Sequence, residues 1–116
     1  MNDVARYITS AGRTLYTFPA RAFPRLVANI TVISDGRRRV LVDCGSGMDH
    51  SNEDLLAGLA RIGELYGEPV HPAELDAILI THGHIDHFGG LSFLRRISPA
   101  PIGVHPLDRR VLSHYE

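Results

Sequence analysis

Three histidines and one aspartate fall within six positions, in the run Thr81-His82-Gly83-His84-Ile85-Asp86-His87, directly after the apolar stretch Ala77-Ile78-Leu79-Ile80. Neutral imidazole and carboxylate together form the ligand set that zinc, iron and manganese accept. The pattern therefore points first to a metal site, with solvated loop histidines as the weaker reading. On a helix, His82 and His84 would face nearly opposite directions, so this is not the helical pattern with two histidines four apart. At a strand end, residues two apart point the same way, and His82 and His84 can grip one ion together. Asp86 and His87 then lie past the turn and face a neighbouring position. Gly89-Gly90 let the backbone turn tightly into a following helix.

The elements that must position this run can be read from periodicity. Residues 13 to 18 alternate weakly and suggest an edge strand, while Pro19 and Pro24 bracket Ala20-Arg21-Ala22-Phe23 as a loop. Val27 to Ile33 and Arg39 to Asp43 flank Ser34-Asp35-Gly36, a hairpin signal. Ser51 or Asn52 is expected to cap a helix whose Leu55, Leu56, Leu59, Ile62 and Leu65 make a packing face, ended by Gly67 and Pro69. Pro72 to Leu75 reads as a turn or a short helical piece. The strand Ala77 to Thr81 is apolar on both faces, as a buried central strand should be. A helix from Gly90 to Arg96, a strand from Ile102 to His105 and a last helix from about Pro106 follow. Alternation of strand and helix predicts an α/β layer with a mixed sheet.

Composition is that of one ordinary globular domain: 116 residues, 44% hydrophobic, net charge -1. That balance indicates no nucleic-acid or anionic-membrane partner. Arg37-Arg38-Arg39 reads as solvated turn chemistry. The lone Cys44 allows no internal disulfide and suits a reducing cytoplasm, and its place at the end of an apolar strand favours a packing role. No apolar run near Met1 is long enough for a signal peptide or a membrane span, so a cytoplasmic chain is expected. Asp43 is a turn former by residue type, and His50 and His71 are expected to be solvated. Tyr66 and Tyr115 are expected to pack at helix ends.

The string His82-x-His84-x-Asp86-His87 resembles the signature of the metallo-β-lactamase superfamily of metallohydrolases. Asn29 to Ser34, Asp35-Gly36 and Val40-Leu41-Val42-Asp43-Cys44-Gly45 resemble the family's early hairpin and its Asp-x-Gly turn. Val104-His105-Pro106-Leu107-Asp108 resembles the strand and helix that follow the metal motif. The resemblance runs from about residue 13 to the end. It implies half of an αβ/βα sandwich, a mixed sheet with covering helices, over a single domain 1-116 that is expected to be truncated at its C-terminal end. It further implies His82, His84, Asp86 and His87 as ligands of two zinc ions, with iron or manganese as alternatives, and Asp86 as the residue orienting the nucleophile. Asp43 is carried over as an outer-shell or turn-stabilising residue. Phe23 and Arg25 are placed beside a substrate pocket. His105, Asp108 and His114 come too soon after the signature to supply the family's remaining ligands.

The activity so implied is hydrolysis of a small-molecule ester, thioester or lactone by metal-activated water, once a second half or a homo-oligomer completes the site. The alternative is a catalytically inactive half-domain that binds metal weakly or serves as an interaction module. The ligand count predicts that the isolated chain is inactive, because catalytic zinc usually has three protein ligands plus water.

Overall fold

Alternating apolar residues build a long hairpin around which the rest is arranged. In a computed structural model describing residues 3–48, 50–81 and 88–104, six strands form one sheet in the order β1 to β6. They are β1 (Ala5–Ile8), β2 (Thr14–Phe23), β3 (Leu26–Ser34), β4 (Arg39–Val42), β5 (Ala77–Ile80) and β6 (Ile102–Val104). The first four pair antiparallel, whereas β4, β5 and β6 run parallel. The carboxyl ends of β2, β4, β5 and β6 therefore all lie at one end of the sheet. Parallel strands require crossovers, supplied here by helix α1 (Ser51–Tyr66) and the short α2 (Leu91–Leu94). A single 3₁₀ turn, Pro72–Glu74, precedes β5.

One face of the sheet carries Tyr16, Phe18, Ala20, Ile30, Val32, Leu41, Ile78 and Ile80 into a core closed by Leu55, Leu59 and Ile62 of α1 and by Leu91 and Leu94 of α2. Helix α1 stops at Gly67, which takes the left-handed conformation and returns its amide to the Gly63 carbonyl. Tyr66, as expected, packs at that helix end. Its hydroxyl donates to the Val4 carbonyl at 2.7 Å, and its ring lies against Tyr16 and under Arg6.

Several sequence expectations need correction. Residues 13 to 18 are not an edge strand, because β1 pairs outside them. The segment Ala20 to Phe23 is not a loop, since β2 runs through Pro19 and pairs with β3 up to a register shift between Arg21 and Phe23. Proline is tolerated there because β1 pairing reaches only as far as Thr17, so that among the described residues this stretch of β2 has a neighbouring strand on one side only. Neither Ser51 nor Asn52 is the helix cap. His50 occupies that position without a side-chain hydrogen bond, and the Ser51 hydroxyl instead accepts from the Ser46 amide. Leu56 and Leu65 are exposed rather than on the packing face. The strand β5 is buried on one face only: Ile78 and Ile80 are in the core, and Leu79 is 41% exposed. The helix expected over Gly90 to Arg96 is regular only from Leu91 to Leu94, with Arg95 to Ile97 continuing as turns. Arg39 is not solvated turn chemistry, because its guanidinium pairs with Glu68 at 2.6 Å.

The expected hairpin and the Pro72 turn agree with the sequence reading to within a residue. His105 and the helix from Pro106, with Asp108, His114 and Tyr115, lie outside the described residues. No helix among the described residues is long and apolar enough to cross a membrane.

Candidate metal centre

The ligand candidates His82, His84, Asp86 and His87 lie outside the described residues. What the structure defines is the frame on either side of them. The chain enters the motif from Thr81, directly after β5, and leaves it at Phe88, which is buried. Both flanks meet the loop that follows β4. This is the carboxyl end of the parallel strands, where open α/β sheets present their sites.

Asp43 makes the first contact. Its Oδ1 accepts from the Thr81 amide at 2.8 Å, and its Oδ2 accepts from the Thr81 hydroxyl at 2.6 Å. Its own amide donates to the Leu79 carbonyl at 2.8 Å, extending the β4–β5 ladder by one rung. Asp43 has a φ of 65°, the one positive value at a non-glycine among the described residues. Aspartate enters the left-handed region more readily than most residues, and here the conformation turns its carboxylate onto the start of the motif. The expectation of a turn-stabilising residue is thus realised with a named partner. Thr81 itself was not singled out by sequence reasoning; its hydroxyl beside His82 was the available signal.

The second contact closes the other flank. The Gly90 amide donates to the Gly45 carbonyl at 3.1 Å. Backbones approach so closely that a Cβ on Gly90 would lie 2.3 Å from the Cys44 carbonyl oxygen, and one on Gly47 would lie 2.4 Å from that of Gly89. Only residues without side chains fit at such a crossing. Cys44 is fully buried beneath it. Burial, with the Asp43 carboxylate adding to it, pushes the thiol up to about 12, and the Gly90 amide opposes this only in part. The thiol is therefore held neutral, which supports the packing role read from the sequence.

Other candidates, except His71 before the amino end of β5, fall at the same end. The β2–β3 turn brings Phe23, partly exposed, and Arg25, exposed, to the carboxyl-end rim. His50 is exposed at the start of α1, with its Nδ1 3.3 Å from Glu53. His71 is exposed before the 3₁₀ turn. Arg21, also near this end, holds the buried Asp54 of α1 through two guanidinium contacts and its amide, each at 2.8 Å. The Arg21 hydrogen bonds keep the Asp54 carboxyl below its usual range against the opposing effect of burial.

A model of the metallo-beta-lactamase superfamily matches residues 23–116. The chain belongs to that superfamily. Among curated relatives, the atrochrysone carboxyl ACP thioesterase of Aspergillus fumigatus is 33% identical over 79 residues, covering 68% of this chain and 22% of the relative. A ribonuclease of Thermus thermophilus is 37% identical over 78 residues, covering 67% and 16%. The chain thus spans under a quarter of the length of either. A subclass B3 metallo-beta-lactamase from a soil metagenome library superposes with a TM-score of 0.65 at 24% identity, over 84% of this chain and 32% of that one. This similarity identifies the fold: a six-stranded α/β portion of the metallo-beta-lactamase architecture. A Pseudomonas aeruginosa metallo-beta-lactamase in a mono-zinc form superposes with a TM-score of 0.60 at 16% identity, over 97% of this chain and 46% of that one. A flavo di-iron protein of Thermotoga maritima does so with a TM-score of 0.68 at 15% identity, over 99% and 30%.

Proposed function

We propose that the chain carries the metal-binding half of a hydrolase that acts on a thioester or a lactone. The observation carrying this reading is the junction at Thr81, where β5 ends at a residue held by Asp43 and the sequence runs on into three histidines and an aspartate. The donor set suits zinc, with iron or manganese as alternatives. His82 and His84 would hold one ion, and Asp86 and His87 a second. Such an ion, when bound, supplies an acidified water near neutral pH and Lewis-acid polarisation of the substrate.

The chain's own residues set up that chemistry. Asp86 orients the attacking water. Asp43 fixes the backbone from which His82 departs, and outer contacts of this type orient ligands and tune their basicity. Phe23 and Arg25 border the substrate. Thioester chemistry is favoured by the likeness to the Aspergillus thioesterase. A second reading, phosphodiester cleavage, is favoured by the ribonuclease relative and opposed by the net charge of -1. The buried neutral Cys44 is compatible with a cytoplasmic location.

The sheet face opposite the core carries Val40, Val42, Ala77 and Leu79, all partly or well exposed. We expect the chain alone to self-associate through it, as apolar patches do. A monodisperse monomer at high concentration by light scattering would remove that expectation.

The functional test is elemental analysis after dialysis against metal-free buffer, followed by assay on an acyl thioester, a lactone and a phosphodiester. Near-stoichiometric metal lost in His84→Ala, with thioester or lactone turnover, supports the proposal. Turnover of the phosphodiester alone selects the second reading, and no retained metal overturns both for this chain.

A further inference from the structure

Ser46 belongs to no metal motif, yet it is 2% exposed and hydrogen-bonded on every side. Its hydroxyl donates to the Ala22 carbonyl at 2.6 Å and accepts from the Met48 amide at 3.1 Å. Its own amide donates to the Ser51 hydroxyl, at the start of α1, at 3.0 Å. One residue earlier, Gly45 accepts from Gly90, three residues past His87. Ala22 sits inside the register shift between Arg21 and Phe23, where β2 leaves its regular pairing with β3, and β1 has already stopped at Thr17. At this irregular point of the ladder the Ser46 hydroxyl supplies the Ala22 carbonyl with a partner from a different loop.

We propose that Ser46 is a positioning residue that ties the β2–β3 hairpin tip to the loop abutting the metal motif, so that tip order and metal binding are coupled. Two segments joined through one buried hydroxyl share its geometry, and coupling between sites is reciprocal: if tip order favours metal binding through this tether, an ion that orders the motif flank orders the tip as well. The coupling rests on the metal-site reading of His82 to His87, whereas the tether does not.

The test is hydrogen exchange by mass spectrometry on the full chain, with and without zinc, in the wild type, Ser46→Ala and Ser51→Ala. In Ser46→Ala without metal, peptides over residues 20–27 are expected to exchange about tenfold faster, while those over 31–42 keep their protection. Ser51→Ala removes the partner of the Ser46 amide but leaves the hydroxyl bond, so its tip is expected to stay protected. Zinc is expected to slow exchange at the tip in the wild type but not in Ser46→Ala, which still retains the ion. Faster exchange across the whole sheet, an unchanged tip in Ser46→Ala, or equal loosening in Ser51→Ala would overturn the tether. Zinc bound by the wild type without tip protection would overturn the coupling, even if Ser46→Ala fails to fold. Failure of the wild type to bind zinc would overturn the metal reading and the coupling with it, while the metal-free comparison still decides the tether.

Discussion

Asp43 holds Thr81 by two hydrogen bonds, one to its amide and one to its hydroxyl, and so anchors the last described residue before the first histidine of the motif. The contact crosses from the end of β4 to the end of β5, and only parallel neighbours bring those two ends together. It makes the Asp-x-Gly turn the support for the residue that leads into the histidine motif.

Removing that support should weaken metal binding before it unfolds the protein. Asp43→Ala is expected to lower zinc affinity by about 10- to 100-fold, the usual effect of losing an outer contact. Thr81→Val, which keeps the amide bond and loses the hydroxyl, should fall between this variant and the wild type. Competition against a chromophoric chelator measures both. Equal affinities in all three proteins would show that Asp43 acts only on the turn.

The crossing of the two glycine-bearing loops leaves no room for a methyl group. Gly90→Ala would drive a Cβ to 2.3 Å from the Cys44 carbonyl oxygen, which is backbone and cannot step aside cheaply. A loss of roughly 2 kcal/mol or more is expected, in line with overpacking of a tight interior. A control substitution, Gly12→Ala, meets no neighbouring atom and costs only the strain of a positive φ. Urea denaturation of the two variants ranks them.

Glu68 collects donors from three strands: the Tyr16 hydroxyl and the Arg39 guanidinium, each at 2.6 Å, and the Ser34 hydroxyl. Burial alone would raise its pKa, but the hydrogen bonds from Ser34, Tyr16 and Arg39 outweigh burial and leave it lowered. A carboxyl lowered by folding contributes stability above its unfolded value, about 4.3, and loses that contribution as pH falls through the lower folded value. The urea midpoint should therefore drop on acidification from pH 6 to pH 3, and Glu68→Gln should flatten the drop. Tyr16, pushed up to about 12 by burial and by its bond to Glu68, stays a neutral donor throughout that range.

Cys44 should be chemically silent. With its thiol near 12 and its side chain buried, a disulfide reagent at pH 8 is expected to react only after denaturation. Cys44→Ala should retain zinc to the same stoichiometry as the wild type. Rapid labelling of the native protein, or loss of metal in the variant, would instead give the thiol a chemical role.

Spacing alone determined much of this protein. The hairpin around Asp35-Gly36, the helix ending at Gly67 and the crowded histidine motif after an apolar strand are all local signals, set by backbone geometry within a few residues. Tertiary structure decided the rest. Pro19 reads as a strand breaker, yet β2 passes through it because, among the described residues, β1 pairs with β2 only as far as Thr17. Leu79 reads as core, yet it faces outward from the described residues while Ile78 and Ile80 face in. Glu68 and Asp54 look like ordinary surface carboxylates, and each instead gathers donors from residues 29 to 52 positions away. The same holds at the site, where Asp43 and Thr81 stand 38 residues apart. A hydrogen bond between such residues depends on which strands become neighbours, and strand order arises from burying the whole core at once rather than from any short stretch of chain.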